Sequence, residues 1–144
     1  MERMQRMLGI DYGSKRVGLA LSDPLGVIAR PLHAVQNDKN LIEHLKSVAS
    51  NENVQLYVVG MPLNLKGEHA QKSKEVEKFI EELRQASGIE VVTWDERFTT
   101  TIAQNTMRSM GVKKSVRQKR DGTIDSMAAA VMLQSFLDHA QHAR

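Results

Sequence analysis

Residues 7–22 read M-L-G-I-D-Y-G-S-K-R-V-G-L-A-L-S, two short apolar runs joined by a polar, glycine-containing connection. Met7–Asp11 and Val17–Ser22 therefore predict two antiparallel strands, with Tyr12–Arg16 as a link of hairpin length. Working outward, Gly26–Arg30 follows the turn signal Asp23-Pro24 and predicts a third strand that Pro31 ends. Asp38 is placed to cap a helix in which Leu41, Leu45, Val48 and Ala49 recur at helical spacing, running to about Ser50. Leu56–Gly60 is a continuous β-branched run, as in a strand buried on both faces of a parallel sheet. Val76, Phe79, Ile80 and Leu83 then mark a second helix closed by Gly88, and Ile89–Trp94 marks the next buried strand. Thr99 and Thr100 precede a third helix carrying Ile102, Ala103, Met107 and Met110. After Gly111 a polar, basic loop runs to Thr123, and a final helix spans Met127–Ala140.

Three meandering strands followed by alternating strands and helices imply an α/β fold: a five-stranded mixed sheet with helices on both faces. A chain of 144 residues fits a single domain, residues 1–144, with one compact core. There are no cysteines, which excludes thiolate nucleophiles, cysteine-ligated zinc and disulfides. With 41% hydrophobic and 26% charged residues the composition is that of a globular protein rather than a disordered one. No apolar run approaches the roughly 18 residues of a spanning helix, and Met1–Met7 leads into no signal-peptide core. A soluble, cytoplasmic protein with no membrane partner is expected.

Charge is unevenly distributed. The net charge is +3, yet Arg97, Arg108, Lys113, Lys114, Arg117, Lys119 and Arg120 fall in a stretch without a single acid, and the remaining chain is net acidic. A concentrated basic zone on an acidic body is the electrostatic footprint of a polyanion-binding protein; a solvated loop is the plainer alternative.

In open sheets of this kind ligands bind beyond the carboxyl ends of the parallel strands. Three acids stand at element ends that the topology can bring there: Asp11, Glu96 and Asp125. Singly, each has a plain role as turn former, loop charge or helix cap. Asp11 fits its plain role least, because it ends an apolar strand expected to be central, where an unpaired carboxylate is costly. Carboxylates gathered at one point repel, and a cation removes the penalty. Oxygen ligands favour Mg²⁺ or Mn²⁺, the ions used for in-line attack on phosphodiesters. The five histidines show no metal spacing with acids, and Ser14 and Ser22 lack a His-Asp pair. Trp94 and Tyr57 lie within strands as core; Tyr12 and Phe98 flank the acids, where a ring can stack on a base.

D-Y-G-S-K-R-V-G-L-A-L-S-D near the N-terminus, V-G-M-P-L-N at 59–64, D-E-R-F-T-T at 95–100 and K-R-D-G-T-I-D-S-M-A-A-A at 119–130 together resemble the YqgF (RuvX-like) family of nucleases over residues 7–137. Met61 stands where that family more usually has leucine. The resemblance implies an RNase H-like fold and a divalent-metal nuclease, described either as processing the 5′ end of precursor 16S ribosomal RNA or as a Holliday junction resolvase. It carries the catalytic and metal-binding roles onto Asp11, Glu96 and Asp125, while Asp95 competes with Glu96 for its role. Lys15, Arg16 and Arg97 would position phosphate, and Lys113, Lys114, Arg117, Lys119 and Arg120 would hold the flanking backbone of structured RNA or branched DNA. Symmetric junction cleavage would call for a homodimer. Two other classes compete: an ATP-binding module, which needs a second similar domain, and a noncatalytic nucleic-acid-binding protein, for which the basic zone suffices.

Replacing Lys113, Lys114, Arg117, Lys119 and Arg120 with Gln is expected to weaken nucleic-acid binding regardless of sequence and to flatten its salt dependence. The loss of slope is roughly 0.9 log units per phosphate contact on duplex DNA. An unchanged slope of log affinity against log salt would show that this stretch is a solvated loop.

Overall fold

The computed structural model describes residues 6–62, 68–96 and 123–142. Five strands, β1 (Arg6–Tyr12), β2 (Arg16–Ser22), β3 (Ala29–Gln36), β4 (Val54–Met61) and β5 (Glu90–Asp95), form one sheet in the order β3-β2-β1-β4-β5. The pairs β1–β2 and β2–β3 are antiparallel, and β1–β4 and β4–β5 are parallel. Helices α1 (Leu41–Asn51), α2 (Glu68–Ser87) and α3 (Thr123–His142) complete the described elements. The expected mixed sheet is present. The helix expected from Thr99 and the basic loop lie outside the described residues. No helix among the described residues is long and apolar enough to cross a membrane.

Strand alternation divides the interior in two. Leu8, Ile10, Val17, Leu19, Tyr57, Val59, Met61 and Val91 face α1 and α2, meeting Leu45, Val76, Phe79 and Leu83. The opposite face presents Ala20, Val58, Val92 and Trp94 to Met127, Ala130, Leu133 and Leu137 of α3. Helices thus cover both faces, which is why β4 from Leu56 onward reads as uninterrupted apolar sequence. Gly88 ends α2 at a left-handed φ of 68°, and its N–H donates to the Arg84 carbonyl.

Two local expectations are corrected. The third strand is Ala29–Gln36, not Gly26–Arg30. The Asp23 carboxylate accepts the N–H groups of Leu25, Val27 and Ile28, folding residues 23–28 into a turn and leaving Val27 and Ile28 exposed. Buried Gln134 of α3 clamps this turn, accepting from Ala29 N–H and donating to the Val27 carbonyl. Pro31 does not end the strand, because β3 is a sheet edge and the register with β2 slips beside Pro31, between Leu19 and Ala20. Nor is Asp38 the cap of α1. Asn40 holds that position, while the Asp38 carboxylate accepts the Asn40 N–H in the preceding turn.

One glycine sets how closely α3 approaches the sheet. A Cβ on Gly18 would fall on the backbone carbonyl of Asp125, so bare backbone is needed for the first turn of α3 to rest on β2. Gly18→Ala is expected to cost roughly 1 to 3 kcal/mol through overpacking, read as a lowered midpoint in denaturant unfolding. Wild-type stability in that variant would contradict the close approach.

Candidate active site

Asp11 is the penultimate residue of β1 and lies on the α3 face of the sheet. Its partner across β2 is Gly18, and on the β4 side it lies one step beyond the Ile10–Val59 pair, level with Gly60. The carboxylate is thus flanked by two glycines, each of which makes room for another acid. Over Gly18 sits the backbone of Asp125, in the first turn of α3. Beside Gly60 sits Glu96, directly after β5, with its Oε1 3.3 Å from where a Gly60 Cβ would be. A glycine inside an apolar strand is the sequence signal for such an approach.

The electrostatics record the convergence. The Asp11 carboxyl is pushed up to about 6, first by burial and then by the negative charge of Glu96. Lys72 of α2 opposes the shift, and the charge of Asp125 adds to it. Lys72 was not picked out from the sequence: it is one cation in a polar run, and only the packing of α2 shows its influence on Asp11. Asp125 is not the helix cap but the third residue of α3, where a negative charge also suits the helix dipole. Its carboxylate meets the Arg16 guanidinium, Nε to Oδ2 3.0 Å. Among the described residues no three acidic or histidine side chains close on one point as they stand.

Asp95 is the last residue of β5 and pairs with Met61, which belongs to the α1/α2 core. It is buried on that face and carries partners of its own. Glu96, not Asp95, contributes to the Asp11 shift.

Lys15 and Arg16 are exposed where the β1–β2 connection meets β2. That turn is tied down by a residue the sequence did not single out. Asn37 donates its side-chain amide to the Gly13 carbonyl at 2.7 Å and its backbone N–H to the Lys15 carbonyl at 2.9 Å. Arg97, Lys113, Lys114, Arg117, Lys119 and Arg120, like Phe98, lie outside the described residues. Tyr12 points to the other face and packs on Phe79, ring centroids 4.6 Å apart, so it belongs to the core. Trp94 stands edge-on to Phe136 and against His139, while His33 and His44 pair with each other, Nε2 to Nε2 3.4 Å.

A carboxyl titrating near 6 in the fold and near 3.8 when unfolded binds more protons in the folded state between those values. Stability therefore falls as pH rises from about 4 to 6 and stays reduced above. In chelator, Asp11→Asn is expected to stabilise the protein at pH 8 by about 2 to 3 kcal/mol, and to lose that advantage below about pH 4. Equal melting temperatures for variant and wild type at pH 8 would contradict the crowding of charge around Asp11.

The chain matches RuvX, described as Holliday junction resolvase, over residues 5–139. It is 38% identical to a protein of Sulfurihydrogenibium sp. named "Putative pre-16S rRNA nuclease", covering 94% of this chain and 91% of that one. A protein of the same name from Endomicrobium trichonymphae is 41% identical, covering 94% and 96%. Among solved structures, T. thermophilus RuvC in complex with Holliday junction substrate superimposes with a TM-score of 0.61 at 16% identity, covering 94% of this chain and 96% of that one. The fowlpox virus resolvase, bound to Holliday junction DNA, gives 0.53 at 12% identity, covering 94% and 99%. These two likenesses establish the RNase H-like fold of the RuvC resolvases. With the family matched over nearly its whole length and relatives well above a third identical, the chain belongs to the RuvX family.

Proposed function

We propose that the protein is a divalent-metal-dependent nuclease that hydrolyses phosphodiester bonds in structured RNA, trimming the 5′ end of precursor 16S ribosomal RNA. The observation that carries this reading is the placement of Asp11 between Gly18 and Gly60, with Glu96 and Asp125 led to its two sides. Burial first, and then the charge of Glu96, push the Asp11 carboxyl up to about 6, and a cation held there would offset both. The donors are carboxylate oxygens, which fit Mg²⁺ or Mn²⁺.

Asp11 and Glu96 would hold the ions, with Asp125 completing the set. When bound, such ions neutralise developing charge on the phosphate and lower the pKa of the attacking water. The protein's own part is positional. β1 and β5 deliver Asp11 and Glu96 at the carboxyl edge of the sheet, and α3 delivers Asp125 across Gly18. Lys15 and Arg16, on the turn braced by Asn37, meet the scissile phosphate. Arg97 and the Lys113, Lys114, Arg117, Lys119 and Arg120 stretch hold the flanking backbone. The whole chain acts as one catalytic domain, in the cytoplasm, where ribosomes are assembled.

The RNA substrate is favoured by the names of the relatives at 38% and 41% identity. The second reading is junction resolution, favoured by the description of the family itself. One set of acids per chain makes one cut, and resolving a four-way junction takes two coordinated cuts, hence a dimer. RNA end processing takes one.

Asp11→Asn is expected to abolish cleavage in both Mg²⁺ and Mn²⁺ while leaving RNA affinity unchanged or slightly higher, because a repelling charge is gone. Retained turnover would exclude the metal mechanism. Single-turnover cleavage of a precursor 16S 5′ segment and of a mobile four-way DNA junction, at equal salt and metal, decides the substrate. RNA cleavage is expected, and paired symmetric nicks in the junction with intact RNA would establish the dimeric resolvase instead.

A further inference from the structure

We propose that His33 and His44 form a binding site for a divalent transition-metal ion of the zinc and copper class, held between the edge strand β3 and helix α1 and separate from the carboxylates around Asp11.

The two imidazoles are 11 residues apart in sequence and meet with Nε2 to Nε2 3.4 Å. Their ring centroids are 5.5 Å apart at an interplanar angle of 64°, so the two nitrogens stand between the rings and neither ring lies flat on the other. That nitrogen separation is long for a hydrogen bond. It is the separation one shared ion requires, because two imidazole nitrogens about 2.0 to 2.1 Å from a tetrahedral zinc stand roughly 3.3 to 3.4 Å from each other.

Both donors are carried by regular elements. His33 of β3 pairs with Leu19 of β2, and Leu19 lies in the α1/α2 core, so His33 stands on the face that α1 covers. A bulge sets this position: Leu19 pairs with His33 and Ala20 with Pro31, leaving Leu32 as the extra residue. Leu32 packs against the same core, so two successive side chains serve one face, and the apolar one anchors the strand beside His33. On α1, His44 lies one turn from buried Leu41 and Val48, and its N–H donates to the Asn40 carbonyl.

The chemistry of the pair favours the same class of ion. Burial, and then the charge of His44, hold the His33 imidazole below its ordinary range, which leaves it neutral at neutral pH with a lone pair to give. Imidazole nitrogen suits zinc, copper and nickel, whereas the carboxylate oxygens of Asp11 and Glu96 suit Mg²⁺ and Mn²⁺. Among the described residues no third histidine or acid closes on the pair. Both residues are exposed, so water completes the ligand set and the ion exchanges directly with solvent. The site lies across the sheet from Asp11, whose partner on β2 is Gly18, under α3. An ion there ties the edge strand to α1, and because only the folded chain brings the rings together, binding stabilises the fold.

The test is Cu²⁺ bound to the full chain at neutral pH and read by electron paramagnetic resonance, with Zn²⁺ binding read by calorimetry. Wild type, His33→Gln, His44→Gln, His139→Gln and Asp11→Asn are compared. Wild type is expected to show a copper signal split by two imidazole nitrogens. The outer partners of a metal ligand alone are worth roughly 10- to 100-fold in affinity, so His33→Gln and His44→Gln are each expected to weaken Zn²⁺ binding by at least roughly tenfold. His139→Gln and Asp11→Asn are expected to keep the two-nitrogen signal. Melting temperatures without metal check that the variants fold, and the wild-type spectrum carries the test should either one fail. Copper without nitrogen splitting in wild type, or Zn²⁺ affinity equal in wild type and folded His33→Gln, overturns the site and leaves two rings in simple contact. Loss of the signal in His139→Gln, with His33→Gln unaffected, moves the ion to α3 and overturns it as well.

Discussion

The structure turns on a single carboxylate held against the preference of its surroundings. Asp11 is next to last in the middle strand of the sheet, partly buried, with the charges of Glu96 and Asp125 acting on it. Two like charges about 4 Å apart repel by about 4 kcal/mol at an effective dielectric near 20. On either side, Gly18 leaves room for the backbone of Asp125, and Gly60 lies in close contact with the Glu96 side chain. The protein's own cations, Lys72 near Asp11 and Arg16 on Asp125, offset part of the repulsion.

The strand alternation that builds two cores also separates stability from chemistry. Leu8, Ile10 and Tyr12 of β1 pack toward α1 and α2, whereas Gly9 and Asp11 face α3. Neighbouring residues of one strand thus serve different ends, and Tyr12 can be tied to Phe79 without touching the site. The same parity sorts the Asp95-Glu96 pair. Asp95 shares its side of the sheet with Met61, and Glu96 reaches Gly60 on the other. A slip of one residue in β5 would exchange them.

The sequence carries what depends on periodicity. The apolar runs of β1, β2, β4 and β5 and the helical spacings of α1 and α2 emerge in the structure near their expected bounds, because each buries a face that its own pattern defines. β3 eludes this reading: Val27 and Ile28 mimic a strand but are drawn into a turn by the Asp23 carboxylate, and Pro31 is tolerated at a bulged edge. The acids are legible as residues at element ends, whereas Gly18 and Gly60 are read from the sequence only as members of apolar runs, and their closeness to Asp125 and Glu96 emerges from the packing. Lys72 and Asn37 are not, since their roles come from contacts between segments distant in sequence, with no local pattern to announce them.

The central claim is that Asp11, Glu96 and Asp125 form one cation site at the carboxyl edge of the sheet. Anomalous diffraction from crystals soaked in Mn²⁺ addresses it most directly, because it locates the ion without reference to activity. The account predicts manganese peaks in contact with Asp11 and Glu96, at roughly the 2.0 to 2.2 Å expected for oxygen ligands of small divalent ions. Manganese bound elsewhere, with Asp11 left without an ion, would contradict it.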